Sequence, residues 1–155
     1  MPKTLREEIR QGKPFTSLRE EALLSIARTE AIARENLERV LAPYDLSMTQ
    51  YNVLRILRGA GKTGLCRNEI GQRLIARMPD VSRLLDRMET AELVHRRRST
   101  EDRRLVNTML TARGLALVQK LDNVVAEFQE QQVGHMSETQ LGSLIELMRL
   151  VRTPG

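Results

Sequence analysis

The chain alternates between apolar runs at helical spacing and short polar or glycine-rich breaks, and most runs open on a capping residue. Ser17-Leu-Arg-Glu20 predicts a helix start in which the serine hydroxyl and the glutamate carboxylate each satisfy a free backbone N–H. Ser47-Met-Thr-Gln50 and Ser137-Glu-Thr-Gln140 repeat the pattern, and Cys66-Arg-Asn-Glu69 carries a thiol in place of the hydroxyl. Pro79 suits the first turn of a further helix, where its missing N–H costs nothing, and Thr111 suits the cap of another.

Each start leads into a stripe. The first long helix carries Leu23, Ile26, Ala33, Leu37 and Val40, and Pro43 limits it. The second carries Tyr51, Leu54 and Leu57 and stops at Gly59-Ala-Gly61. The third is short, with Ile70 and Leu74, and the fourth carries Val81, Leu84, Leu85 and Met88. The fifth carries Leu115, Val118, Leu121, Val125 and Phe128, a helix-seam spacing ended by Gly134. The sixth repeats the seam with Leu141, Leu144, Met148 and Val151. Between the fourth and fifth, residues 93–97 and 105–110 read as two short strands joined by a charged turn, the only β signal in the chain. Residues 1–16, with Pro2, Gly12 and Pro14, predict an arm that is flexible unless a partner ties it down. The expected fold is mainly α with a small β-hairpin, one domain over residues 17–155.

Composition narrows the chemistry. A length of 155 residues with 41% hydrophobic and 29% charged side chains is the balance of one ordinary globular domain. No apolar stretch approaches a bilayer span, and the opening residues lack the apolar centre of a secretory leader, so the expected compartment is the cytoplasm. A single cysteine, Cys66, precludes an intrachain disulfide, and with only His95 and His135 beside it no ordinary zinc site is expected. No glycine-rich phosphate loop, nucleophile elbow or acid–base pair is present, so neither an enzyme nor a cofactor is expected. Aromatics at 3% are too few for a stacking platform on single strands. The net charge is +5, and residues 65–114 hold 11 basic against 7 acidic side chains while residues 115–155 hold 3 against 5. The densest run is His95-Arg96-Arg97-Arg98, followed by Arg103-Arg104.

A charge run is often only a solvated face. Its placement gives it another meaning. A short third helix, a break at Ala76-Arg77-Met78, a fourth helix and a basic hairpin form the order of a winged helix-turn-helix. The helix after the break would enter a DNA major groove, and the arginine hairpin would follow the backbone into a minor groove.

These residues also carry a family resemblance. Met48-Thr-Gln-Tyr51-Asn-Val-Leu54-Arg-Ile-Leu57, Glu69-Ile70-Gly-Gln-Arg-Leu74, Asp80-Val81-Ser82-Arg83-Leu84-Leu85-Asp86-Arg87-Met88-Glu89, Leu93-Val94-His-Arg96, Asp102-Arg103-Arg104 and Leu110-Thr111-Ala-Arg-Gly114 occur in that order. The sequence resembles the MarR (multiple-antibiotic-resistance regulator) family of bacterial transcription factors over roughly residues 17–152. One departure is Ala91-Glu92, where the family often places glycine before the Leu-Val pair.

The resemblance implies a winged core at about residues 45–110, with dimerisation helices at about 17–41 and 112–152. It implies DNA contacts among Arg77, Asp80, Ser82, Arg83 and Arg87 at the fourth helix, Ser82 and Arg83 above Arg87, with Asp80 instead available to the helix dipole. On the wing it implies Arg104 in the minor groove and Arg96, Arg97, Arg98 and Arg103 shared between phosphate contact and solvation, with Asp102 orienting a neighbouring arginine. Strand alternation places Arg96 and Arg98 on one face and Arg97 on the other. Dimer contacts are expected at Leu23, Ile26, Leu121, Phe128, Leu141, Leu144, Met148 and Val151. The implied function is a homodimeric, sequence-specific repressor on a pseudo-palindromic duplex, released by a small aromatic or anionic effector bound between the dimer helices and the DNA-binding lobe, with Tyr51 among its lining. The alternatives are an effector-independent or architectural DNA-binding factor, a thiol-responsive regulator acting through Cys66, and an adaptor whose wing binds an acidic protein.

Overall fold

The computed structural model describes residues 1–153 and 155. The helices are α1 (Leu5–Glu8), α2 (Leu18–Leu41), α3 (Met48–Ala60), α4 (Arg67–Arg73), α5 (Val81–Thr90), α6 (Ala112–Val133) and α7 (Glu138–Arg152). The strands are β1 (Leu65–Cys66), β2 (Val94–Arg98) and β3 (Val106–Leu110). The caps act largely as the sequence predicts. Ser17, Ser47, Thr111 and Ser137 each accept from the backbone N–H three residues on. Glu20 differs in its return contact, which goes to the backbone N–H of Thr16 at 2.5 Å rather than to Ser17. Pro43 lies in a one-turn 3-10 helix, Ala42–Tyr44, directly after α2.

Three elements differ from expectation. The sheet has three antiparallel strands in the order β1-β3-β2, because Leu65 pairs with Thr108 and Cys66 with Asn107. Two residues are too few to show a period. Gly64 makes this third strand feasible, since its φ is +67° and a Cβ there would stand 2.3 Å from the Thr108 carbonyl oxygen. The predicted arm contains a helix: Thr4 and Glu7 form a capping box, Arg6 donates to the carbonyls of Gln11 and Gly12, and Glu8 lies 3.7 Å from Arg28 of α2. Pro79 precedes α5 rather than opening it, and Asp80 is the cap.

One apolar core joins the winged unit to α6. It holds Val53, Leu54 and Leu57 of α3, Ile70 of α4, Leu85 and Met88 of α5, Val94 of β2, and Val118, Leu121 and Val125 of α6. Leu121 is 0% exposed within its own protomer. Its place on the fifth stripe therefore serves the monomer core, contrary to the expected dimer contact. Phe128 is half-buried and lines a cavity with Tyr51 of α3. Of the other expected dimer positions, Leu23 and Val151 are exposed, and Ile26, Leu141, Leu144 and Met148 are half-buried. Among the described residues α7 packs extensively on no other element, and it exposes Ile145, at 67%, together with Leu147 and Leu150. Among the described residues no helix is long and apolar enough to cross a membrane, and no acid, histidine or cysteine cluster has the makings of a metal site.

The Leu-Thr-x-x-Gly segment locks α6 to the root of the hairpin. The Thr111 backbone N–H donates to the Leu93 carbonyl at 3.1 Å, the Thr111 hydroxyl donates to the Glu92 carbonyl at 2.6 Å, and Gly114 N–H donates to the Thr111 hydroxyl at 3.0 Å. Gly114 lies against Leu93 so closely that a Cβ would sit 2.1 Å from the Leu93 carbonyl oxygen. The departure at Glu92 is also physical, because this glutamate has a φ of +60°, a left-handed conformation that favours glycine.

Candidate nucleic-acid interface

The amino ends of α4 and α5 lie together and form one polar groove, lined by Arg67, Asn68, Gln72, Arg77, Asp80 and Ser82 among others. The α5 stripe of Val81, Leu84, Leu85 and Met88 is buried, which turns Arg83 and Arg87 to solvent. An amphipathic helix seated in this way presents the polar face of its first turns outward. Arg77 is exposed on the turn just before it.

Two expected contacts have other local tasks. Asp80 accepts from the Arg83 backbone N–H at 3.0 Å, and its second oxygen lies 3.5 Å from Arg83 Nε. Its carboxylate is therefore spent on the positive end of its own helix, where it is favoured by the dipole. Arg96 donates to Asp86 at 2.6 Å and to Glu89 at 2.9 Å, and its backbone N–H also donates to Glu89. The Arg96 hydrogen bond holds the Glu89 carboxyl below its ordinary pKa, and the same bonds raise that of Arg96. Arg96 thus clamps β2 to α5 rather than standing clear of the protein.

Sequence reasoning overlooked Arg67. It is the first residue of α4, where a cation opposes the helix dipole, and that mismatch was the available signal. Its Nη1 donates to Ser82 Oγ at 2.9 Å, bridging the two helices of the turn at the groove.

The wing tip is shaped by its own side chains. Ser99 N–H donates to the Leu105 carbonyl at 2.8 Å, and Leu105 N–H to the Asp102 carbonyl at 2.9 Å. The Ser99 hydroxyl accepts from the N–H groups of Glu101 and Asp102. Asp102 accepts from Arg104 three times, from its backbone N–H at 3.0 Å, its Nε at 3.2 Å and its Nη2 at 3.4 Å. The Arg104 side chain holds the Asp102 carboxyl below its usual range, although the arginine is itself 91% exposed. Arg97, Arg98 and Arg103 are exposed as well. The groove and the wing tip together present a cationic surface of the kind that binds phosphate backbones.

Behind this surface lies a cavity of about 140 Å³. Leu37 of α2, Tyr51, Asn52 and Arg55 of α3, Ile75 and Ala76 of the turn, and Phe128 of α6 line it. The Arg55 guanidinium carbon stands 6.0 Å from the Tyr51 ring centre. Burial of Tyr51 pushes its phenol pKa up. Asn52 Oδ1 accepts from the Ile75 backbone N–H at 2.9 Å, so α3 holds the turn that leads into α5. Cys66 is half-buried at the start of α4, and its backbone N–H donates to the carboxylate of Glu69 in the first turn of that helix at 2.8 Å.

Residues 46–106 match the family model described as the MarR family. The "HTH-type transcriptional repressor IacR" of Pseudomonas putida is 27% identical over 126 residues, covering 81% of this chain and 74% of that protein. The crystal structure of a MarR transcription factor from Planctomyces limnophilus is 39% identical with a TM-score of 0.68, covering 88% of this chain and 99% of the other. The MepR–DNA complex of S. aureus is 25% identical with a TM-score of 0.72, covering 90% of this chain and 98% of that one. The chain belongs to the MarR family and is a DNA-binding transcriptional regulator built on a winged helix-turn-helix.

Proposed function

We propose that this regulator is a homodimeric repressor whose grip on a pseudo-palindromic duplex is loosened by a small aromatic or anionic molecule. Residues 17–155 act as one unit in this reading, the winged core at about 45–110 reading DNA and the flanking helices pairing two copies. α5 enters the major groove with Ser82 and Arg83 foremost, assisted by Arg77 and Arg87, while Arg104 reaches the adjacent minor groove under the control of Asp102. Arg97, Arg98 and Arg103 supply phosphate contacts. A fifteen-residue helix with Ile145, Leu147, Leu150 and Val151 exposed has little reason to persist alone, and a second copy would cover it. The name of the similar IacR, a repressor, favours the same sign of regulation here.

The observation that carries effector control is the cavity under α3. Its volume is near that of an engineered cavity that takes benzene, so one ring with a small substituent fits. Arg55 at its edge suits an acidic substituent. The cavity is walled on one side by α2 and α6, which belong to the flanking helices, and on the other by Ile75 and Ala76, which lead into α5. A ligand that fits better when the turn has shifted would lower DNA affinity by population shift. The test titrates monocyclic aromatic acids against the protein on a selected duplex, followed by fluorescence anisotropy. At least one acid weakens binding about tenfold, and Arg55→Ala abolishes that response without altering affinity in its absence. If no acid changes the affinity, effector control is wrong and an effector-independent factor remains.

A further inference from the structure

A second cleft, of about 330 Å³, opens on the opposite end of α3 from the cavity described above. Leu57, Met109, Leu110 and Leu115 form an apolar floor, and Arg58, Lys62, His95 and Arg97 stand around it. No carboxylate lines the cleft. Arg58 is held by both oxygens of Asp122, each at 2.9 Å, and is largely neutralised. Lys62 and Arg97 have no ion-pair partner among the described residues, so the local charge is uncompensated. The cleft shares no lining residue with the cavity under α3.

Its position is as informative as its charge. Strand alternation turns Arg96 toward α5 and leaves His95 and Arg97 on the other face of β2, above the last turn of α3. The remaining walls are the first residues of α6, Thr111, Ala112 and Leu115. An apolar floor of this size with a few convergent polar groups is the general form of a small-molecule site. The excess of cations selects the occupant's charge.

We infer that this cleft binds a small amphiphilic organic anion, its hydrocarbon body on Leu57, Met109 and Leu115 and its acid group between Lys62 and Arg97. Such a ligand joins the wing root to the start of α6. The inference does not rest on effector control through the cavity under α3.

The test uses the full chain without DNA, labelled with ¹⁵N, and titrates octanoate, octyl phosphate and the neutral octanol. Shared binding of the two acids supports the charge argument, and their ratio tells a carboxylate site from a phosphate site. Amide shifts are expected at Gly61, Lys62, His95, Arg97, Ala112 and Leu115, with octanol binding at least about tenfold more weakly than the better acid. Lys62→Glu, at an exposed position, weakens that acid at least about fivefold while the thermal midpoint stays unchanged. Leu115→Glu serves as a second variant if the first is poorly folded. Octanol binding as tightly as the acids, shifts centred on Leu37, Tyr51 and Phe128, affinity unmoved by both variants, or no saturation by about 10 mM would each overturn the inference.

Discussion

Gly114→Ala should be far more damaging than its chemistry suggests. In most helices this change stabilises by about 1 kcal/mol, since alanine is the better helix former. Here the new Cβ would stand 2.1 Å from the Leu93 carbonyl oxygen, 3.0 Å from its carbon and 3.3 Å from Leu110 Cδ2. The obstacle is backbone on one side and a buried strand root on the other, so α6 must move out by about 1 Å to reach ordinary contact. That movement strains three hydrogen bonds at one joint: Thr111 to the Leu93 carbonyl, Thr111 to the Glu92 carbonyl, and Gly114 to the Thr111 cap. Overpacking costs about 1–3 kcal/mol and a weakened cap about 1 kcal/mol. Less the propensity gain of about 1 kcal/mol, the expected loss is about 1–3 kcal/mol. Urea unfolding at fixed protein concentration measures it, with Gly59→Ala as the internal control. Gly59 is in α3 with nothing within 4 Å of its Cβ position, so the control should gain about 0.5–1 kcal/mol. If Gly114→Ala is as stable as Gly59→Ala, the steric account of the joint is wrong.

Glu92→Gly should stabilise by about 0.5 kcal/mol in the same assay, because relief of the left-handed conformation slightly exceeds glycine's entropy and the loss of an exposed pair with Arg113; a destabilised variant would refute this. Arg96→Ala should cost about 1 kcal/mol of stability yet leave the salt dependence of DNA binding unchanged, whereas Arg97→Ala should do the reverse; equal salt slopes for both would show that Arg96 is not a clamp. Glu89 has its pKa lowered on folding, so its contribution is present above the ordinary glutamate range and lost as pH falls through the lowered value. Glu89→Gln should therefore lose less stability than the parent between about pH 5 and pH 3, as followed by urea midpoints across that range. Arg83→Ala should alter which duplexes are selected more than it alters affinity for random duplex, a result that competition binding reads directly.

The helices were legible because their caps are local chemistry. Ser47 with Gln50, or Ser137 with Gln140, satisfies its own helix end regardless of the rest of the fold. The winged order was legible because the arginine run follows a short helix, a break and a second amphipathic helix. β1 was not, since Leu65 and Cys66 become a strand only by pairing with Thr108 and Asn107 far along the chain. The direction of the α6 stripe was also hidden: Leu121 and an interface leucine have the same spacing, and only packing against α3 separates them. The roles of Asp80 and Arg96 turned on partners. A carboxylate at a helix start and an arginine in a basic run fit both a DNA contact and an internal bond, and distances of 3.0 Å and 2.6 Å decide between them. Arg67 was missed because its one signal, a cation set against the helix dipole, names no partner until Ser82 is placed against it.

The central claim is that the cationic groove and wing form a surface for a specific duplex. It is tested most directly by selecting duplexes from a random pool with the purified protein and titrating the winner against salt, for the parent and for Arg104→Ala. The account predicts a palindromic winner bound as a dimer, with affinity falling steeply with salt and a log–log slope reduced by about two units in the variant, one for each wing. Equal binding to all duplexes, or an unchanged slope when Arg104 is removed, would contradict it.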